Sequence, residues 1–441
     1  MPVARPRAAL RARLHLAGCK LPPCRLQGRG RAKPERYHGR VGERPIYLDY
    51  QATTPCDPRV VAAMAPWWSE SFGNPASRTH AFGWEAAEAV ERARREVAEL
   101  IGADAREIVF TSGATEANNL ALIGGARALA RARGGAVLRL VTCATEHRAV
   151  LDPIAALERE GFAAVRLPVQ PDGRVDPERL RAALAEPTLL VSIMHANNEI
   201  GVVQPIEALA RLAAEAGAAF HCDAAQSPAT LALDLTQLGI DFLSLSAHKL
   251  YGPKGIGALL VRRGGNARLE PILHGGGHER GLRSGTLPVP LCVGFGAAAE
   301  LARERRADDA RRLAALRDRL LARLEAELPR IAVNGSREHR LPGNLNVSFL
   351  GAEGEALLAA LPELALSTGS ACTSAKREAS HVLRALGAEP ARALSALRFG
   401  LGRDNSAEEI ERAAELVIAA TRRLRALSPV WDELRRGAAR A

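Results

Sequence analysis

From Ile46 onward the chain alternates short runs of consecutive apolar residues with longer stretches in which apolar positions recur every three or four residues. The first pattern predicts strands buried on both faces; the second predicts helices with one apolar stripe. Glu85–Leu100 reads as a helix, Glu107–Thr111 as a strand, and a further helix begins at Ala114. Strands are expected at Leu138–Cys143, Leu189–His195, Ala218–Asp223 and Asp241–Ser246, with helical stretches between the first four. Alternation of this kind implies an α/β fold built on a largely parallel sheet covered on both faces. Such sheets bind ligands at the carboxyl ends of their strands. After roughly Arg303 the character changes: a long Arg/Ala/Leu helix, a strand at Asn344–Phe349, a polar loop at Ser367–Ser374, a strand near Leu397–Leu401, and closing helices. The expected organisation is a large part over 58–303 and a smaller α+β part made of 44–57 with 304–441.

Composition narrows the function classes. The 441 residues are 47% hydrophobic and 25% charged, as in ordinary globular proteins, which excludes a wholly disordered or collagen-like chain. No uninterrupted apolar run is long enough to predict a membrane-spanning helix. The net charge of +11 suggests nucleic acid, yet residues 1–34 hold nine basic side chains and no acid. The rest is close to neutral, so specific nucleic-acid binding is not expected. The acid-free, Arg-rich start resembles an organelle transit peptide but lacks its usual serines. A translation start placed too far upstream accounts for it equally well, and 1–43 is taken as outside the fold. The seven cysteines (19, 24, 56, 143, 222, 292 and 372) form no CxxC pair. That argues against a disulfide framework or a zinc site and for a reducing compartment, with the cytoplasm as the default.

Only five of the 60 basic side chains are lysines, and beyond residue 43 only Lys249, Lys254 and Lys376 remain. Where arginine serves as the general cation, a retained lysine is a candidate for Schiff-base formation, which needs an amine that can lose its proton. Lys249 follows the apolar strand ending at Ser246, although a surface lysine beyond a strand is the plainer reading of that residue alone. Asp223 ends another strand, where a buried carboxylate needs a cationic partner such as a pyridinium nitrogen. Thr111-Ser-Gly-Ala-Thr115, between strand and helix, can be an ordinary cap or a phosphate cradle. His147, after the next strand, can be structural or can stack on a cofactor ring. Taken together on one sheet edge, the four elements describe a fold-type I pyridoxal-phosphate enzyme. Cys372 sits among small polar residues, Ser367-Thr-Gly-Ser-Ala-Cys-Thr-Ser. That suits a nucleophilic thiolate that must travel, whereas Cys143 and Cys222 lie in apolar strands and read as structural.

Several stretches carry a closer resemblance: Tyr47-Leu-Asp-Tyr-Gln-Ala-Thr-Thr-Pro, Phe72-Gly-Asn-Pro-Ala-Ser, Thr111-Ser-Gly-Ala-Thr-Glu, Thr145-Glu-His, His195-Ala-Asn-Asn-Glu-Ile-Gly, Ser246-Ala-His-Lys, Tyr251-Gly-Pro-Lys-Gly, His274-Gly-Gly-Gly-His-Glu-Arg-Gly-Leu-Arg-Ser-Gly-Thr and Gly369-Ser-Ala-Cys-Thr-Ser. From about Pro45 to Glu433 the chain resembles the cysteine desulfurases of the IscS/NifS type. The resemblance implies a large domain with a mainly parallel seven-stranded sheet, and a homodimer using pyridoxal 5'-phosphate. Lys249 would carry the cofactor and later move protons at the substrate Cα. Asp223 would pair with the ring nitrogen, His147 would lie over the ring and Gln226 would bond its phenolic oxygen. Ala114, Thr115, Ser246 and His248 would hold the phosphate, with Thr286 reaching in from the other subunit. Asn198 and Arg398 would bind the carboxylate of L-cysteine, whose sulfur Cys372 would accept as a persulfide, leaving L-alanine. The long loop around Cys372 resembles the subgroup that hands sulfur to an iron–sulfur scaffold protein; tRNA thiolation is a further outlet. No metal site is implied beyond transient contact of Cys372 with a cluster or acceptor.

Four positions depart from the usual pattern: Ala247 for glycine, Ala225 for threonine, Gly400 for serine and Gln51 for serine. A selenocysteine lyase on the same fold, or a non-catalytic docking protein of iron–sulfur assembly, remains open at this point.

Overall fold

The structure, a computed structural model, describes residues 44–235, 238–368 and 379–438. The basic extension 1–43 and Cys372 therefore lie outside the described residues. Twelve strands are described: β1 (Ile46–Tyr47), β2 (Ile108–Thr111), β3 (Arg139–Cys143), β4 (Ala163–Leu167), β5 (Leu190–Ser192), β6 (Ala219–Asp223), β7 (Phe242–Ser246), β8 (Gly257–Val261), β9 (Ile331–Val333), β10 (Asn344–Phe349), β11 (Leu364–Ala365) and β12 (Ala396–Gly400). Seven of them form one sheet in the order β2-β8-β7-β6-β5-β3-β4. All its pairings are parallel except those of β8 with β7 and β2. The connection from Ser246 to Gly257 holds no α-helix that could carry the chain back across the sheet, so β8 returns antiparallel.

Apolar side chains on both faces explain why β2, β5, β6 and β7 are buried throughout. On one face Val90 and Val97 of helix Ala81–Leu100 pack with Phe110, Leu243 and Phe295. On the other, Leu129, Ile154 and Leu157 pack with Val109, Leu140 and Phe242. Three polar residues inside these strands bond one another. His221 on β6 bonds Ser192 Oγ on β5 through Nδ1 (2.8 Å) and Ser244 Oγ on β7 through Nε2 (3.0 Å). Burial pushes that imidazole down to about 3, so it crosses the sheet as a neutral group.

Helix Val289–Glu327 runs through residue 303 without a break. Its first half adds Phe295 and Ala299 to the large core, and its second half puts Leu313, Leu320 and Leu324 against a separate cluster. That second cluster includes Val347 and Phe349 of β10, Leu397 and Phe399 of β12, and Val417 of helix Ala407–Ala426. The antiparallel sheet β12-β10-β9 and the parallel pair β1-β11 complete the architecture. An isolated bridge joins Asp49 to Gly400, which sets the segment after β1 against β12. Among the described residues no helix is long and apolar enough to cross a membrane.

Candidate active site

A cavity of about 500 Å³ lies at the carboxyl ends of the parallel strands. It is lined by Ala114, Thr115, His147, Asn198, Asp223, Gln226, Ser246, His248, Lys249 and Arg398, all expected at the site from sequence. Thr286 does not line the cavity of its own chain and is exposed. Strand register supplies the floor. Gly257 of β8 stands opposite both Thr111 of β2 and Ser246 of β7. A Cβ at Gly257 would lie 2.5 Å from the Leu245 carbonyl oxygen and 2.7 Å from Gly113 Cα. Only glycine lets the turn before helix Ala114–Asn119 settle onto the sheet beside Ser246.

Asp223, at the end of β6, is 6% exposed. Its Oδ2 accepts a 2.7 Å hydrogen bond from Asn118 Nδ2, and its Oδ1 accepts one of 3.0 Å from the Ala225 amide. The alanine in place of threonine thus keeps its backbone bond to Asp223. Behind it Glu146 is fully buried: Oε1 accepts from Met194 N (2.6 Å), and Oε2 has no partner. Burial first, and the negative charge of Asp223 second, push Glu146 up to about 8. His147 caps helix Arg148–Arg159, its Nδ1 accepting from Ala149 N at 3.1 Å. That bond places the ring proton of the neutral form on Nε2. Burial lowers the imidazole's pKa, nearby Asp223 raises it, and Lys249 lowers it again.

Lys249 closes the short turn Ala247–Lys249 after β7, half-buried. Its Nζ donates to the carbonyls of Gln51 and, at 2.8 Å, of Ala52. The turn is fixed from below. Thr54 Oγ1 donates to the His248 carbonyl and accepts from Tyr251 N, at 3.0 and 2.9 Å. Tyr251, at φ 62°, has its ring under the Arg403 guanidinium, 4.1 Å from the ring centroid. Gln226 Nε2 also donates to the Gln51 carbonyl (3.0 Å), and His248 Nδ1 lies 3.1 Å from Thr53 Oγ1. Burial, then the charges of Lys249 and Lys254, hold His248 down at about 4.

Arg398 reaches the cavity from β12, so both the small and the large sheet contribute to the site. Its Nη2 is 2.6 Å from Asp49 Oδ1, and its Nη1 donates to the Asn198 carbonyl at 3.0 Å. Its Nε is buried and has no hydrogen-bond partner among the described residues. A guanidinium held on two sides keeps the planar fork of donors that matches a carboxylate.

Sequence reasoning missed Asn118, Glu146, Gln51 and Asn197. Asn197 Nδ2 donates to the Thr145 carbonyl, while its Oδ1 accepts from Glu199 N and Ile200 N. The Thr145-Glu and Asn197-Asn198-Glu stretches signalled something at these positions, but not which side chain would hold another.

The class-V aminotransferase family model matches residues 46–413. A cysteine desulfurase IscS of Anaeromyxobacter sp. (strain Fw109-5) is 57% identical over 393 residues, covering 89% of this chain and 96% of that protein. The chain belongs to the cysteine desulfurases of the class-V aminotransferase family. Among solved structures, a NifS-like protein superposes with a TM-score of 0.78 at 35% identity, covering 85% of this chain and 98% of the other. A structure titled SspA in complex with cysteine gives a TM-score of 0.71 at 38% identity, covering 81% and 98%.

Cysteine desulfurases work with pyridoxal phosphate, and the cavity fits it. The Lys249 amine, the buried Asp223 carboxylate bonded by neutral donors, and Arg398 line one space of suitable size. Two of the departures from the usual pattern also explain each other. A Cβ at Gly400 would lie 2.0 Å from Gln51 Oε1 and 2.8 Å from Tyr50 N. The larger Gln51 occupies room that the missing side chain at 400 leaves open.

Two predictions follow from this packing and this burial. Gly400→Ser alone should cost roughly 1–3 kcal/mol by overpacking, and Gln51→Ser added to it should recover part of the loss. Urea titration of the four proteins tests this, and strict additivity would contradict it. Glu146 holds its proton in the folded state to about 8 against an ordinary 4.5. The stability that proton supports is complete at acid pH and is lost as pH rises through about 8. Glu146→Gln should therefore gain on the parent protein as the pH of urea unfolding rises from acid to mildly alkaline. Parallel profiles for the two proteins would show that Glu146 is not held neutral.

Proposed function

We propose that the chain removes sulfur from L-cysteine, releases L-alanine and carries the sulfur on Cys372 before passing it to an acceptor thiol for iron–sulfur cluster assembly. The observation that carries this reading is the convergence of Lys249, Asp223 and Arg398 on one cavity. Bound pyridoxal phosphate supplies an electron sink for charge released at the substrate Cα.

The remaining work belongs to the protein. Asp223 would hold a proton on the ring nitrogen, since the hydrogen bonds it receives among the described residues come from neutral donors. His147, as a neutral imidazole, would lie against the ring, and Gln226 would donate to the phenolic oxygen. Ala114, Thr115, Ser246 and His248 would hold the phosphate. Arg398 and Asn198 fix the substrate carboxylate, which leaves the Lys249 amine to take and return the Cα proton. Cys372, as the thiolate, forms an S–S bond to the substrate sulfur while the Cβ–S bond breaks. Cysteine becomes alanine and the enzyme thiol becomes a persulfide, so no outside oxidant is needed.

The same reading includes a homodimer in which Thr286 of each subunit completes the other's phosphate site. Trp68 and Phe72, 63% and 66% exposed, with Phe82 and Trp84 nearby in sequence, support it, since apolar rings in number are costly to leave in water. It also includes an iron–sulfur scaffold as acceptor, tRNA thiolation as a further outlet, a cytoplasmic location, and a division into 58–303 against 44–57 with 304–441. Two separate apolar clusters, one on each side of that division, support the last point.

Cys372→Ser should keep the visible absorbance of bound cofactor and still bind L-cysteine, while alanine release falls to background. Lys249→Ala should lose that absorbance. Undiminished alanine release by Cys372→Ser would overturn the reading.

A further inference from the structure

Of the three lysines beyond residue 43, the site as described uses Lys249, and Lys376 lies outside the described residues. The third, Lys254, lines the same cavity. It stands at the tip of a loop, 252–256, whose two ends are clamped onto Ala247. Gly252 N donates to the Ala247 carbonyl at 3.0 Å, and Ala247 N donates to the Ile256 carbonyl at 3.2 Å. Pro253 and Ile256 are buried, Lys254 and Gly255 are exposed, and Gly255 makes the turn at φ 90°. Ala247 separates Ser246 from His248, the two side chains read as phosphate ligands. Directly after the loop, Gly257 lies against Gly113. The loop of Lys254 is thus built into the wall that carries Ser246, His248 and the Ser112–Thr115 turn.

Charge shows what that wall is short of. A phosphate ester brings a charge of about −2. The residues read as its holders bring none: Thr115 and Ser246 are hydroxyls, Ala114 offers only its backbone, and His248 is held down at about 4 by burial and then by Lys249 and Lys254. That Lys254 depresses His248 also sets the two within electrostatic reach of each other. The other cations at the cavity are committed. Lys249 is read as the residue that carries the cofactor, and Arg398 is bonded to Asp49 and to the Asn198 carbonyl. Glu116, which also lines the cavity, is paired with Arg283 at 2.8 Å. Lys254 makes no ion pair among the described residues.

We propose that Lys254 is a further cofactor-binding residue, which supplies the positive charge facing the phosphate of pyridoxal phosphate. This rests on the placement of that phosphate at Thr115, Ser246 and His248. The hydroxyls and the neutral imidazole give the phosphate direction through hydrogen bonds, and Lys254 gives it a counter-charge. A compact ammonium on a flexible stem can approach any of the phosphate oxygens without the fixed fork of arginine. That accounts for a lysine kept at this position in a chain that otherwise uses arginine as its cation. The effect is one of charge on the bound phosphate, and the loop itself stays fixed by its own backbone bonds and buried neighbours.

The test compares two ligands that differ only in the phosphate. The full chain, stripped of cofactor, is titrated with pyridoxal phosphate and with pyridoxal, and binding is read from the visible absorbance. Lys254→Gln should weaken pyridoxal phosphate by about 10-fold or more and leave pyridoxal within about 2-fold of the parent protein. Lys254→Arg, which keeps the charge, should retain most of the preference for the phosphate form. Added salt should narrow the gap between the parent and Lys254→Gln. An unchanged preference in Lys254→Gln would overturn the proposal. So would an equal loss for both ligands, which is the mark of a merely structural lysine. Ser246→Ala should lower the preference as well; were it to leave the preference intact, the placement of the phosphate would fall, and this inference with it.

Discussion

The site is organised around a buried carboxylate whose hydrogen bonds, among the described residues, come from neutral donors. Asp223 receives hydrogen bonds from the Asn118 amide and the Ala225 backbone, both neutral. Those bonds orient the carboxylate but do not neutralise it, and burial makes an unbalanced charge expensive. The surroundings respond to it. Glu146, fully buried beyond it, keeps its proton to about 8, chiefly because burial disfavours its charged form and further because Asp223 is negative. A ring nitrogen that carries a proton is the partner this arrangement lacks, and pyridoxal phosphate brings one.

A second constraint comes from having the site assembled by two sheets. The large sheet supplies the cofactor wall, and β12 of the small sheet supplies Arg398. Arg398 is held by Asp49 from the segment after β1 and by the Asn198 carbonyl from beyond β5. It is therefore a joint between the two sheets as well as the proposed receptor for the substrate carboxylate. The Gln51 carbonyl plays a similar part, receiving both Lys249 Nζ and Gln226 Nε2. Displacing residues 49–54 would disturb the amine, the guanidinium and the turn beneath Tyr251 together, although none of those side chains lies in that segment.

Much of this was legible in the sequence, for definite reasons. Strands β2, β3, β6 and β7 are short runs of mostly buried apolar residues, and the polar residues at or beyond their ends became informative only as a set. Strand β8 was missed because Gly257–Val261 follows β7 after a connection with no α-helix, so the strand–helix rhythm gave no place for it. Strand β4 was missed because Ala163–Leu167 sits at the sheet edge with a mixed burial pattern. The expected helix start at Glu85 fell short of Ala81 because Phe82 and Trp84 are exposed and break the apolar stripe. Among site residues, Lys249 stood out by rarity and Asp223 by position. Asn118, Asn197 and Glu146 carry no such mark, since their partners lie on distant segments and a polar residue near a strand end has many ordinary uses. The pairing of Gly400 with Gln51 was visible only as two unrelated departures until the Cβ position showed them sharing one space.

The central claim is that Asp223 is shaped to receive a protonated ring nitrogen. The most direct measurement compares the affinity of the enzyme for pyridoxal phosphate with that for its analogue bearing carbon in place of that nitrogen, in the parent protein and in Asp223→Asn. The account predicts that the parent favours the true cofactor by about 10-fold or more, the scale of a charge-assisted bond, and that Asp223→Asn abolishes most of the preference. Equal affinity of the parent for the two compounds, or a preference that survives the substitution, would contradict it.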